Sequence, residues 1–134
     1  MSALERAAAF VGVPYIAPGG DLNGWDCRGC VRYCREALFS LPSPGLDSVV
    51  YSRQDARDID EVERLVRANM AAWRPVTPRP GAVLLFSIYQ REAHVGLFLG
   101  AGEFIHALAG AGTVIAPLRG AWARRLRGAY DTVD

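Results

Sequence analysis

Apolar positions along this chain recur first with the period of a helix and then, from about residue 82, with that of a strand. Residues 3–11, ALERAAAFV, are rich in strong helix formers and stop at Gly12 and Pro14, which predicts a short helix. The next stretch, GVPYIAPGGDLNGW, holds two prolines and four glycines in fourteen residues and predicts a loop without regular structure. From Asp26 onward, Cys27, Cys30, Val31, Cys34 and Leu38 share one face of a helix, while Arg28, Arg32 and Arg35 fall on the other. Asp26 suits the N-cap, so Cys27 begins that helix, and SLPSPG ends it. Residues 56–70, ARDIDEVERLVRANM, predict a second amphipathic helix carrying Ile59, Val62, Leu65, Val66 and Met70, with its charges on a solvated face.

After RPVTPRPG the pattern predicts strands at 82–88, 93–100, 103–109, 113–118 and 125–130. Helices come first and strands second. That order implies an α+β fold with helices packed on an antiparallel sheet, and speaks against alternating βαβ units.

A length of 134 residues fits one domain, 1–134. The 51% apolar and 22% charged composition is ordinary, and a formal net charge of +1 supplies no electrostatic reason to expect nucleic acid or an anionic membrane as partner. All fifteen basic residues are arginine, from which no mechanism follows. The opening MSALERAAAFVGVPY lacks a basic lead, and no stretch approaches the roughly 18 apolar residues of a membrane span. Neither a span nor a standard secretion signal is therefore expected. The three cysteines lie within one segment, GWDCRGCVRYC, too close together to staple distant parts of a fold.

Three chemistries compete for those cysteines. A redox pair, Cys27-Arg28-Gly29-Cys30, would sit at a helix start, but such pairs follow a buried strand and this one follows a loop. A zinc site would need a histidine beside Cys27, Cys30 and Cys34, and neither histidine has a ligand-like spacing to them. A nucleophile needs one cysteine at a helix N-terminus, where the macrodipole and free N–H groups favour a thiolate and can hold an oxyanion. Cys27 meets that need, and Cys30 and Cys34 then become buried packing residues.

The histidines favour the third chemistry. Gly100-Ala101-Gly102 is a hairpin signal, and a three-residue connection pairs Leu99 with Glu103. His94 then faces Leu108, Gly96 faces His106 and Phe98 faces Phe104, which puts every even-numbered residue on one sheet face. His94 and His106 become diagonal neighbours, at about 7–8 Å between Cα atoms, with Gly96 leaving space between them. Each taken alone reads more readily as a structural histidine; together, beside a helix-start cysteine, they read as a base (His94) and its orienting partner (His106). Asp26 is better suited to capping than to the third place in such a triad.

These residues resemble the NlpC/P60 cysteine peptidases of bacterial cell walls. GVPYIAPGGDLNGWDCRGCVRYC is similar to that family's Gly-x-Pro-Tyr segment leading to Asp-Cys-x-Gly, RPGAVLLF to its Pro-Gly-Asp-Leu-Val-x-Phe strand, and AHVGLFLGAGEFIHA to its His-Val-Gly hairpin. The resemblance implies a papain-like fold and cleavage of amide bonds in peptidoglycan stem peptides, often between D-glutamate and diaminopimelate, with no cofactor. It places Tyr15 near the oxyanion, although a ring simply packed under the loop is the plainer role. Arg28 stands where serine or tryptophan is usual, Cys30 where leucine is, and Ala82 where aspartate is. With Asp26, Arg28 would line the substrate side, where its guanidinium favours an acidic stem peptide or a partner surface.

GGDLNGWDCRGCVRYC and AWARRLRGAYD are most similar to short members encoded by tailed bacteriophages and gene transfer agents. The resemblance implies a virion tail-tip component with tail-tip or hub proteins as partners, made in the host cytoplasm and acting in the periplasm or cell wall to aid genome entry. A carrier of that kind would also deliver a wall-cutting enzyme that has no export signal. The alternative expectation is a structural tail-tip subunit whose site is weak or inactive.

Overall fold

The computed structural model describes residues 1–46, 58–68, 70–89 and 91–133. Ser2 starts α1 (Ala3–Ala7): its hydroxyl accepts the Glu5 N–H while the Glu5 carboxylate accepts the Ser2 N–H, a reciprocal cap, and a 3-10 turn (Ala8–Phe10) follows. The Gly/Pro-rich stretch is more ordered than its composition predicts. It contains a small hairpin, β1 (Gly20–Asp21) with β2 (Gly24–Trp25), closed where Asp21 Oδ1 accepts the Asn23 N–H at 2.8 Å. What orders it is Trp25, a fully buried ring whose Nε1–H donates to Thr113 Oγ1 at 2.7 Å, tying the loop to a distant strand.

Helix α2 (Cys27–Phe39) starts where predicted: Asp26 Oδ1 accepts the Gly29 N–H at 2.8 Å, a cap generally worth about 1 kcal/mol. Helix α3 (Ile59–Ala68) matches the centre of the second predicted helix. Residues 56, 57 and 69 of that expectation, and the Leu65 side chain, lie outside the described residues, and Met70 falls beyond the helix and is exposed.

The six-stranded sheet is antiparallel throughout, in the order β3 (Trp73–Val76), β8 (Leu126–Thr132), β4 (Val83–Ile88), β5 (Glu92–Gly100), β6 (Glu103–Leu108), β7 (Gly112–Pro117). Strand β3 went unpredicted because Pro75 breaks its pattern; as an edge strand it loses nothing by lacking one N–H. A short helix, α4 (Ala121–Arg125), precedes β8 and was likewise unpredicted.

Each sheet face has its own core. Odd-numbered Val95, Leu97, Leu99, Ile105 and Ala107 pack with Trp25, Cys30, Val31, Cys34 and Leu38 from the helical side. Even-numbered Leu84, Phe86, Phe98 and Phe104 form a second cluster, covered by Trp122 and Leu126. Each fully buried aliphatic or aromatic side chain here contributes about 1.5–3 kcal/mol.

Arg35, on the arginine face of α2, turns inward rather than to solvent. It is fully buried, with Nη2 on Asp131 Oδ1 at 2.5 Å, Nε on the Gly81 carbonyl at 3.1 Å, Nη1 on the Pro42 carbonyl at 3.0 Å, and its guanidinium over the Trp73 ring. Arg79 holds the other Asp131 oxygen at 2.7 Å. Burial lowers the Arg35 pKa, and at Asp131 the two arginines and the Thr132 N–H outweigh the upward push of burial. Helical periodicity alone cannot show that β8 returns past that flank of α2.

Candidate active site

Cys27 is the first residue of α2, half-buried where the helix meets the sheet, and the N–H groups of Val95 and Arg28 point at its sulfur. The approach depends on Gly29, where a Cβ would lie 1.9 Å from the Gly19 carbonyl oxygen, so only glycine lets the β1 loop press against the first turn. Burial pushes the Cys27 thiol above its ordinary pKa, outweighing the downward pull of the Arg28 charge and the two N–H groups. The thiolate expected from the helix dipole is therefore not the resting form.

The sheet opens beside that sulfur. Strands β5 and β6 pair at Leu97–Ile105, Phe98–Phe104 and Gly100–Glu103, with a bulge between Phe98 and Gly100. The register at Leu97 and Phe98 is the predicted one. The predicted Leu99–Glu103 pair is replaced by Gly100–Glu103, because Ala101 and Gly102 both take positive φ and form a two-residue turn. The predicted pairs Gly96–His106 and His94–Leu108 are not part of the ladder. Where the ladder has ended, the Val95 amide turns to the Cys27 sulfur.

The two histidines nonetheless meet: His94 Nε2 lies 2.9 Å from His106 Nδ1, with ring centroids 5.1 Å apart. The space at Gly96 holds a different ring from the one expected, since a Cβ there would come within 2.8 Å of Phe104 Cδ2. Burial, the neighbouring His106 and the Arg28 charge push the His94 pKa down to about 3, and burial takes His106 down to about 4. Both imidazoles are neutral near pH 7. One ring nitrogen of the pair must donate and the other accept, and a bond at His94 Nε2 leaves Nδ1 as its second nitrogen.

Of the remaining predicted residues, Asp26 is buried as the helix cap. Arg28 is half-buried, with its charge acting on both Cys27 and His94. Tyr15, half-buried, is bridged to Trp25, which brings its backbone beside the start of α2. Cys30 and Cys34 are fully buried, and all three cysteines are free. A hydrogen bond to Cys34 and burial raise the Cys30 pKa well above its ordinary value. Among the described residues, no three His, Cys, Asp or Glu side chains gather as a metal-ligand set.

Trp122 is the site neighbour that sequence reasoning missed. Its ring centroid lies 4.7 Å from that of His106 and 5.7 Å from that of His94, and it also packs on Phe86 and Phe104. Five-residue α4 carries too little periodicity to signal this, and only the fold sets it against the histidines.

What this arrangement does is hold a neutral thiol at a helix N-terminus against the Val95 amide, one residue along β5 from a neutral imidazole oriented by its partner. Known proteins share the arrangement's frame. The model of the NlpC/P60 family matches residues 12–130. The murein DD-endopeptidase MepS/murein LD-carboxypeptidase of Escherichia coli K12 is 26% identical over 115 residues, 86% of this chain and 53% of that protein. The gamma-DL-glutamyl hydrolase of Bacillus subtilis 168 is 27% identical over 110 residues, 78% of this chain and 22% of that protein. This chain thus spans about half the length of the first of these relatives and less of the second. In structure, an NlpC/P60 family protein from Bacillus cereus superposes with a TM-score of 0.63 at 23% identity, covering 96% of this chain and 38% of that one. The NlpC/p60 domain of the peptidoglycan hydrolase SagA gives 0.59 at 18% identity, covering 97% and 96%. The match along residues 12–130, on a fold shared with solved members, makes this chain a member of the NlpC/P60 family.

Proposed function

We propose that this chain is a cysteine peptidase that cleaves amide bonds in peptidoglycan stem peptides. The observation that carries the reading is the 2.9 Å bond between His94 Nε2 and His106 Nδ1, at the opening where the Val95 N–H meets the Cys27 sulfur. As Cys27 Sγ attacks the scissile carbonyl carbon, its proton passes to His94 Nδ1, and the imidazolium keeps its Nε2–H on His106. The carbonyl oxygen becomes an oxyanion held by N–H groups at the start of α2, with Tyr15 beside it. Collapse breaks the C–N bond, His94 returns the proton to the leaving amine, and a thioester remains. Water then attacks, giving its proton to His94, and the thiol departs with that proton.

Because both resting groups are neutral, His94 takes the proton during attack and no ion pair is formed beforehand. Arg28, with its charge beside both groups, favours a substrate carboxylate near the scissile bond. Asp26 borders the substrate side while capping the helix. The name of one relative, a murein DD-endopeptidase, fits this substrate class, and that of the other, a gamma-DL-glutamyl hydrolase, fits cleavage of a glutamyl amide bond. The narrower reading, a tail-tip enzyme of a bacteriophage or gene transfer agent with hub proteins as partners, is supported by the likeness of GGDLNGWDCRGCVRYC and AWARRLRGAYD to such members.

The test is digestion of diaminopimelate-type peptidoglycan by the wild type and by Cys27→Ala, with fragments identified by mass spectrometry. Stem-peptide fragments from the wild type alone are expected, and their masses name the bond; equal digestion by Cys27→Ala would overturn the reading. Detection of the chain in purified particles tests the tail-tip role. Particles that need the chain to assemble but inject normally with Cys27→Ala would favour a structural subunit.

A further inference from the structure

His106 has two ring nitrogens and only one conventional partner. Nδ1 is bonded to His94, whereas Nε2 is buried and has no hydrogen-bond partner among the described residues. A buried polar nitrogen left unpaired is costly, so what it faces matters. Two aromatic rings crowd His106. Phe104 lies 4.5 Å away, tilted at 45°, whereas the indole of Trp122 stands perpendicular, at 88° and 4.7 Å. A perpendicular ring at that distance suits an N–H directed at a π-face. The same face repels a nitrogen lone pair, because its quadrupole is negative. Arg125 stacks on the indole at 5.2 Å and helps hold its orientation.

We infer that Trp122 is a positioning residue whose indole accepts the Nε2–H of His106 and thereby sets the protonation pattern of both histidines. The inference rests on the peptidase reading for its consequence, but its core is a statement about where two protons sit. With the proton on His106 Nε2, His106 Nδ1 is an acceptor. His94 must then donate from Nε2, which leaves His94 Nδ1 unprotonated and ready for the Cys27 proton. The opposite pattern, with the proton on His106 Nδ1, makes His94 Nε2 the acceptor and puts the proton on His94 Nδ1, where it blocks the base. Trp122 acts two residues away from the thiol, through His106 and His94.

The experiment is nitrogen-15 and proton NMR of the histidine rings in the wild type, Trp122→Phe and Trp122→Leu, run with kinetics on a stem peptide. In the wild type, both histidines should carry their proton on Nε2, with the His106 Nε2–H resonance shifted upfield by the ring current above the indole face. Trp122→Phe keeps a π-face and should keep this pattern. Trp122→Leu excludes water without supplying one, so His106 should populate both tautomers, and kcat should fall about fivefold with KM within about twofold of the wild type. A wild-type His106 protonated on Nδ1, or an Nε2–H shifted downfield by the indole edge, overturns the inference; so does an unchanged tautomer in Trp122→Leu. The wild-type spectrum decides even if Trp122→Leu does not fold. It also decides if the wild type cleaves nothing, which would defeat the peptidase reading and leave the proton assignment standing or falling by itself.

Discussion

The state of one sulfur separates two kinds of cysteine site. Burial holds Cys27 as a thiol against the pull of Arg28 and two backbone N–H groups, and His94, one residue before the Val95 amide, is neutral. Alkylation of Cys27 by iodoacetamide should therefore be slow at pH 7 and rise only above the ordinary cysteine range. A rate plateau extending into acid, the signature of a preformed thiolate–imidazolium pair, would contradict this account. Gly29 is the second single-residue determinant, since a methyl group there meets backbone rather than a movable side chain. Gly29→Ala should cost at least about 2 kcal/mol in urea denaturation and displace the β1 loop from the first turn of α2. The importance of Asp-Cys-x-Gly was legible in the sequence; that the glycine admits the Gly19 carbonyl was not, because that contact joins loop and helix only in space.

Among the elements, α2 and the β5–β6 hairpin were the most legible, because a capped 3.6-residue period and a Gly-Ala-Gly turn are local signals. Their errors are instructive. The hairpin register survives at Leu97 and Phe98, but the turn adds a bulge and the ladder stops short of His94. Had it continued to Gly96–His106, the ladder would have closed the opening at which the Val95 N–H reaches the sulfur. The polar face of α2 likewise hid Arg35, whose burial depends on Asp131, 96 residues further along the chain. Asp131→Ala should leave that guanidinium uncompensated and destabilise the protein by about 3–5 kcal/mol, read from the urea midpoint. Replacing both partners with leucine should recover most of the loss, which separates the cost of an unpaired charge from the net worth of the pair.

At the scale of the whole molecule, Phe86, Phe104 and Trp122 of the second core cluster pack around the histidine pair, and that burial links stability to pH. Unfolded imidazoles take up protons below about pH 6.5. In the fold, His106 stays neutral down to about 4 and His94 to about 3, so the unfolded state binds more protons across the interval between. Stability should be full above pH 6.5 and fall as the pH drops toward those lower values, with a slope of about 1.4 kcal/mol per pH unit for each histidine. Urea denaturation at pH 7, 6 and 5 tests this, and His106→Gln should roughly halve the slope; a flat profile from pH 7 to 5.5 would count against neutral burial of the pair. The sequence by itself determined the α+β order, the capped start of the helix at Cys27 and the common face of His94 and His106, because periodicity, capping and hairpin turns act over a few residues. Only the tertiary structure decided where the sheet opens, that Arg35 turns inward, that burial keeps Cys27 a thiol, and that Trp122 stands against His106. Those depend on contacts between segments far apart in the chain and on the loss of water, neither of which a local pattern encodes.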